Sequence, residues 1–219
     1  MLCGGTSYEE LSHMADEIAQ DVSITHVVLM ISSGGGEAYS CFSTASYIKK
    51  TLKNSGKKLI NYVDGIMASA AYALGCISDE VIMNPDSQIG SIGVVVSLMD
   101  NSKELEMEGL KPVWVYAGDS KIPYAEDGSF KQEFLDDLQK SVNFTYDNFT
   151  KHVSEMRGIE VEDIVKTQAK LFKTSDAITL GLADKQMTIF EFADYLASIV
   201  SAEETELPYT VKPNHHEDD

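Results

Sequence analysis

The sequence predicts an α/β domain built on a mostly parallel β-sheet. Apolar runs of strand length recur at 26–31, 59–63 and 80–83, with amphipathic helical segments between them. Turn signals such as Gly56-Lys57-Lys58 and Pro85-Asp86-Ser87 sit at the joints. Strands that alternate with helices at this spacing need crossover connections, so neighbouring strands run parallel and helices cover the sheet. A chain of 219 residues is long enough for one such domain with a sizeable core.

The elements follow in order. Residues 7–22 place Leu11, Met14, Ile18 and Val22 at helical spacing. Val27-Val28-Leu29-Met30-Ile31 reads as a buried strand and ends in Ser32-Ser33-Gly34-Gly35-Gly36. A helix over about 38–52 lines up Phe42, Ala45, Ile48 and Leu52. The strand at 59–63 leads through Gly65 into a buried helix of small residues, Met67 to Cys76. Strands are expected at 80–83, 94–96 and 112–116, with a short acidic helix at 101–110. A loop at 117–130 precedes a long helix, 131–155, whose Phe134, Leu138, Val142 and Phe149 form a core-facing stripe. Helical pieces at 160–171 and 175–180, a turn at 184–188 and a last helix at 189–200 complete a single domain over 1–200. Residues 201–219 are polar and acidic, carry Pro208 and Pro213, and read as a tail or linker. Folds of this kind open with a strand, which here is expected upstream of Met1.

Composition narrows the function classes. Seventeen basic against 35 acidic residues give a net charge of −18, which argues against nucleic acid or an anionic membrane surface as partner. No apolar run approaches the roughly 20 residues of a membrane span, and no secretory signal opens the chain. Cys3, Cys41 and Cys76 have no metal-like spacing; an odd set of free thiols suits a reducing cytoplasm, and Cys76 reads as core. Neither a cofactor nor a metal is expected.

The chemistry concentrates around one residue. In Asp64-Gly65-Ile66-Met67-Ala68-Ser69-Ala70-Ala71, a serine sits among small residues where a strand turns into a helix. A hydroxyl there lies beside backbone N–H groups free at the helix start, combining a nucleophile with oxyanion donors. The plain alternative is a helix N-cap. Gly34-Gly35-Gly36, between strand and helix, suits a backbone that must approach a reacting carbonyl closely. No Gly-Lys-Ser/Thr follows it, and the dinucleotide glycine spacing is missing.

Four stretches together resemble the signal peptide peptidase A family of serine proteases, which has the Clp/crotonase-like fold of repeated β-β-α/β-α-β units. They are SSGGGEA at 32–38, DGIMASAAYALGCISDEVIMNP at 64–85, GSIGV at 90–94, and the closing pair Phe172–Ala177 and Gly181-Leu182-Ala183-Asp184. The resemblance covers about 5–190. It implies Ser69 as nucleophile, Lys121 in GDSKIPY as general base, Ser91 as the hydroxyl that holds the lysine, and Gly35, Gly36 and Ala70 as oxyanion donors and peptide-binding backbone. A Clp-type protease would need a His after the serine, and residues 90–100 hold none. A lysine serves as base only if desolvation lowers its pKa from about 10.4 toward neutrality. Lys111 is the runner-up and His152 a more distant alternative. Ser32 and Gly34 depart from the family's Asp and Pro, and Ala70-Ala71 from its Gly-Gly; small residues are kept where small ones are needed.

Within the family, an acidic chain without an anchor is similar to the tailed-phage head-maturation proteases, which cut scaffold and themselves inside the procapsid. The 201–219 tail would then lead toward a scaffolding region. The resemblance implies protein substrates, a homo-oligomer, and a location in host cytoplasm or procapsid. A bacterial signal-peptide or peptide-degrading peptidase is the next reading. A crotonase-type acyl-CoA enzyme and a non-catalytic scaffolding subunit need neither Ser69 nor Lys121.

Overall fold

The computed structural model describes residues 5–206. Helix α1, Tyr8–Gln20, starts on a capping box: the Ser7 side chain accepts from the Glu10 N–H while Glu10 accepts from the Ser7 N–H. It buries Ala15 with Leu11 and Ile18, while Met14 and Val22 of the expected face point to solvent. Strand β1, His26–Ser33, and helix α2, Cys41–Asn54, follow. Strand β2, Lys58–Ala68, is the spine of the sheet. Then come α3 (Ala70–Gly75), β3 (Glu80–Met83), β4 (Gln88–Gly90) and α4 (Ser102–Met107). A 3-10 turn at Asp119–Lys121 precedes α5, Gln132–Arg157. The chain continues through α6 (Val161–Lys166), β5 (Leu171–Lys173), α7 (Thr174–Thr179), β6 (Lys185–Gln186) and α8 (Ile189–Glu206).

The sheet runs β5-β4-β2-β3-β6, with β1 also on β2. Every pairing is parallel except β4 with β5. The consecutive burial of Leu59 to Val63 reflects a strand covered on both faces. On one face α3 and α5 pack Tyr72, Phe149 and Val153 over Val63 and Met67. On the other, Phe192 of α8 stacks on Tyr62, ring centroids 4.3 Å apart.

Strand β2 also sets the site. Over Ile60–Val63 it pairs with β3; over Ile66–Ala68 it pairs with β4. The change of partner occurs around Gly65, at φ +99°, and the β1 register shifts opposite it between Ile31 and Ser33. This delivers Ala68 and Ser69 beside Gly90, whose carbonyl accepts the Ser69 N–H at 2.9 Å. The closing motif has a bracing role. Asp184 accepts the Val81 N–H at 2.7 Å and pairs with Arg157, which also donates to the Gly181 carbonyl. The Tyr72 hydroxyl donates to the Leu182 carbonyl.

Several expectations need correction. Residues 64–68 extend β2, so the helix expected from Met67 begins only at Ala70. The strands expected at 94–96 and 112–116 do not form. Both stretches are rich in valine, but β-propensity makes a strand only where a neighbour offers a ladder, and among the described residues neither stretch pairs with a strand. The helix expected over 160–171 ends at Lys166; Gln168 and Ala169 have positive φ and turn the chain into β5. The expected turn at 184–188 contains β6, paired with β3. Helix α8 runs on to Glu206, into the segment read as tail; residues 207–219 and Cys3 lie outside the described residues.

Candidate active site

Ser69 occupies the N-cap position of α3 but makes no cap hydrogen bond, so its hydroxyl is not spent on the helix. Its backbone, φ 53° and ψ −125°, lies in a region that L-residues rarely enter. Such strain persists only where the surroundings over-determine it. Here the constraints are the Ser69 N–H on the Gly90 carbonyl and the Ser69 carbonyl accepting the Ala73 N–H at 3.0 Å. They hold the side chain half-buried in the lining of a groove of about 560 Å³.

The glycine loop lies against this serine. Gly35 has φ +120°, and a Cβ there would come within 2.9 Å of Ser69 Cβ. Its N–H takes the Ser33 hydroxyl as acceptor at 3.2 Å. Gly36 and Ala70 both line the groove beside Ser69. The first-turn N–H of Ala70 has no partner within its own helix. Ser91, φ 52°, lines the groove too, its N–H bonded to the Lys170 carbonyl at 2.9 Å. The structure therefore brings together Ser69, Ser91, Gly35, Gly36 and Ala70, which are separated in sequence.

It does not bring Lys121 to them within one chain. Lys121 ends the 3-10 turn, is exposed, and is not among the groove residues. Lys111 is likewise exposed and outside the groove. His152 is buried on α5, with Nε2 2.8 Å from the Ala73 carbonyl and its ring against Phe42. Burial lowers its pKa, so it stands as a neutral imidazole bracing α3. Among the described residues the groove holds no Lys or His; its ionisable side chains are Glu37, Tyr39 and Cys41. No three His, Cys, Asp or Glu side chains group to hold a metal among the described residues.

One wall escaped the sequence reading. Leu138 and Val142, expected in the core stripe of α5, instead face the groove together with Phe42 and Val94. Helical spacing fixes which residues share a face but not whether that face meets a core or a cleft. Cys41 carried no signal at all, yet it lies fully buried at the base of the groove.

The fold belongs to the Clp/crotonase-like class. ClpP1 of Listeria monocytogenes superposes with a TM-score of 0.51 over 83% of this chain and 84% of that one, at 14% identity. Residues 51–202 match the family described as Peptidase family S49, and the chain belongs to that family. Among curated proteins it is similar to "Putative protease MJ0651" of Methanocaldococcus jannaschii, 29% identical over 79% of this chain and 55% of that protein. "Probable protease SohB" of Haemophilus influenzae is 28% identical over 85% of this chain and 53% of its own length. "Capsid assembly protease C" of Escherichia phage lambda is 23% identical over 83% and 41%. The chain thus spans about half the length of the curated relatives it matches. Among the described residues no helix is long and apolar enough to cross a membrane.

Proposed function

We propose that the chain is a serine endopeptidase with Ser69 as nucleophile and Lys121 as general base. The observation that carries this reading is the strained, uncapped Ser69 pressed against Gly35 in the lining of an apolar groove. Neutral Lys121 takes the Oγ proton as Ser69 attacks the peptide carbonyl. The N–H groups of Gly36 and Ala70 hold the oxyanion, and Gly35 lets the loop approach the serine closely enough for that. The lysine returns the proton to the leaving amine, and water, deprotonated by the same lysine, frees the acyl group. The peptide lies extended along 34–38, and the apolar wall favours small or apolar side chains at the cut.

The exposure of Lys121 fits a base delivered to the groove of a neighbouring subunit. The stretch leading to it supports such an assembly. Val95, Met99, Met107, Val113 and Val115 are 81% or more exposed, a concentration of apolar surface that marks a contact face. Ser91 then orients the incoming amine.

The role we infer is head maturation, with scaffold proteins and the chain itself as substrates in the host cytoplasm or procapsid. It draws on the acidic composition and on the likeness to a capsid assembly protease. The higher identity to SohB favours a second reading, a peptide-degrading peptidase. The test is cleavage of casein, a candidate scaffold and the chain itself by wild type, Ser69→Ala, Lys121→Ala and a refolded mixture of the two variants. Silence of each variant with recovery in the mixture supports a dyad shared between subunits. Scaffold and self cleavage without casein cleavage supports the head-maturation role. An active Ser69→Ala overturns the assignment.

A further inference from the structure

We propose that Tyr8 is a positioning residue that holds the glycine loop at Glu37 while Cys41, at the far end of the same segment, holds the start of α3, so that together they fix the two halves of the oxyanion hole relative to each other. The inference rests on the Ser69 peptidase reading. Its basis is a connected set of contacts beneath the groove. The Tyr8 hydroxyl donates to the Glu37 carbonyl, one residue beyond Gly36. A Cβ on Gly36 would meet the Tyr8 oxygen at 3.9 Å, so Tyr8 lies directly behind that glycine. Tyr8 packs against the same core cluster that contains Cys41. Cys41, at the start of α2, is fully buried and points its sulfur at the Ala70 carbonyl, 3.5 Å away.

Each member is held from outside the loop. The capping box fixes the first turn of α1, where Tyr8 is the first helical residue and packs against the main core. Cys41 is anchored in the same core. Burial raises the pKa of both groups, so the phenol and the thiol remain protonated. The loop needs such a tether. A Cβ at Gly34 would meet nothing within 4 Å, so side-chain packing does not hold the loop there. Oxyanion donors act by preorganisation, and a displacement of about 1 Å costs on the order of a hundredfold in rate.

Tyr8→Phe removes the hydroxyl and keeps the ring. We expect kcat per titrated active site to fall about tenfold with KM unchanged, because counting active sites removes any unfolded fraction and leaves the loss of a transition-state interaction. Binding of a peptide aldehyde, which forms an oxyanion on Ser69, should weaken by about the same factor. Cys41→Ala, which removes the contact to the Ala70 carbonyl, should do the same. Amide hydrogen exchange over 34–38 should quicken in Tyr8→Phe while that of β2 stays as in wild type. Unchanged exchange over 34–38 overturns the inference whether or not the enzyme is active. Unchanged kcat in an active enzyme overturns it as well. Inactive wild type with quickened loop exchange keeps the tether and counts against the peptidase reading alone.

Discussion

A Cβ added to Gly35 would sit 2.9 Å from the Cβ of Ser69 and 3.1 Å from the Ala68 carbonyl oxygen. Both neighbours belong to the end of the central strand and the turn after it, so neither can give way cheaply. The backbone at φ +120° excludes a side chain on its own account. Gly35→Ala should therefore push the loop off the serine and lower kcat/KM by at least about a hundredfold. The domain should stay folded, because the loop is at the surface. Activity within a few-fold of wild type would mean that the loop takes no part in catalysis.

The strain at Ser69 gives a stability signature that needs no substrate. Ala must adopt the same unfavourable φ and ψ, whereas Gly adopts them freely. Against this, Gly costs roughly 0.4–1 kcal/mol more backbone entropy on folding, and the strain amounts to about 1–3 kcal/mol. Ser69→Gly should thus be more stable than Ser69→Ala by about 1 kcal/mol in urea unfolding, with both lacking activity. A Ser69→Ala variant as stable as Ser69→Gly would show that the position is unstrained.

Burial lowers the pKa of His152 from 6.5, with its hydrogen bond to Ala73 and the charge of Glu155 opposing and Lys49 reinforcing. The folded state therefore binds fewer protons than the unfolded one as pH falls below 6.5. The stability tied to neutral His152 is fully present above that value and is lost as pH drops toward the lower folded value. Wild type should lose more stability than His152→Gln between pH 7.5 and 5.5, measured by urea midpoints. Parallel losses would place the imidazole in solvent.

Val115 is wholly exposed and Val113 is 81% exposed, on a stretch whose alternation reads as a strand but which pairs with no strand among the described residues. Val115→Glu should shift the sedimentation profile from an assembly toward the monomer and remove peptidase activity with it, because the base then cannot reach a neighbouring groove. Full activity in a monomeric variant would put the whole site within one chain.

Elements with a continuous apolar run or a strong helical stripe were legible in the sequence: β1, β3, α2 and α5 lie where the pattern puts them, although β1, read as buried, pairs only with β2 among the described residues and leaves Met30 exposed. The grouping of Ser69 with Gly35, Gly36, Ala70 and Ser91 came from the family resemblance of the motifs; these residues lie around one groove, and their roles remain proposals. Strands 94–96 and 112–116 were misread because a strand is a property of a pair, and valine content speaks for one member only. The contacts of Tyr8 with the Glu37 carbonyl and of Cys41 with the Ala70 carbonyl were invisible because residues so far apart in sequence meet only through packing. Leu138 and Val142 kept their predicted face, but that face turned out to border a cleft.

The most direct measurement is to treat the full chain with a fluorophosphonate and map the modified residue by mass spectrometry. The account predicts one adduct per chain, on Ser69, with loss of proteolysis in proportion to labelling and no adduct in Ser69→Ala. Proteolysis that survives complete modification of Ser69, or that persists in Ser69→Ala, would contradict it.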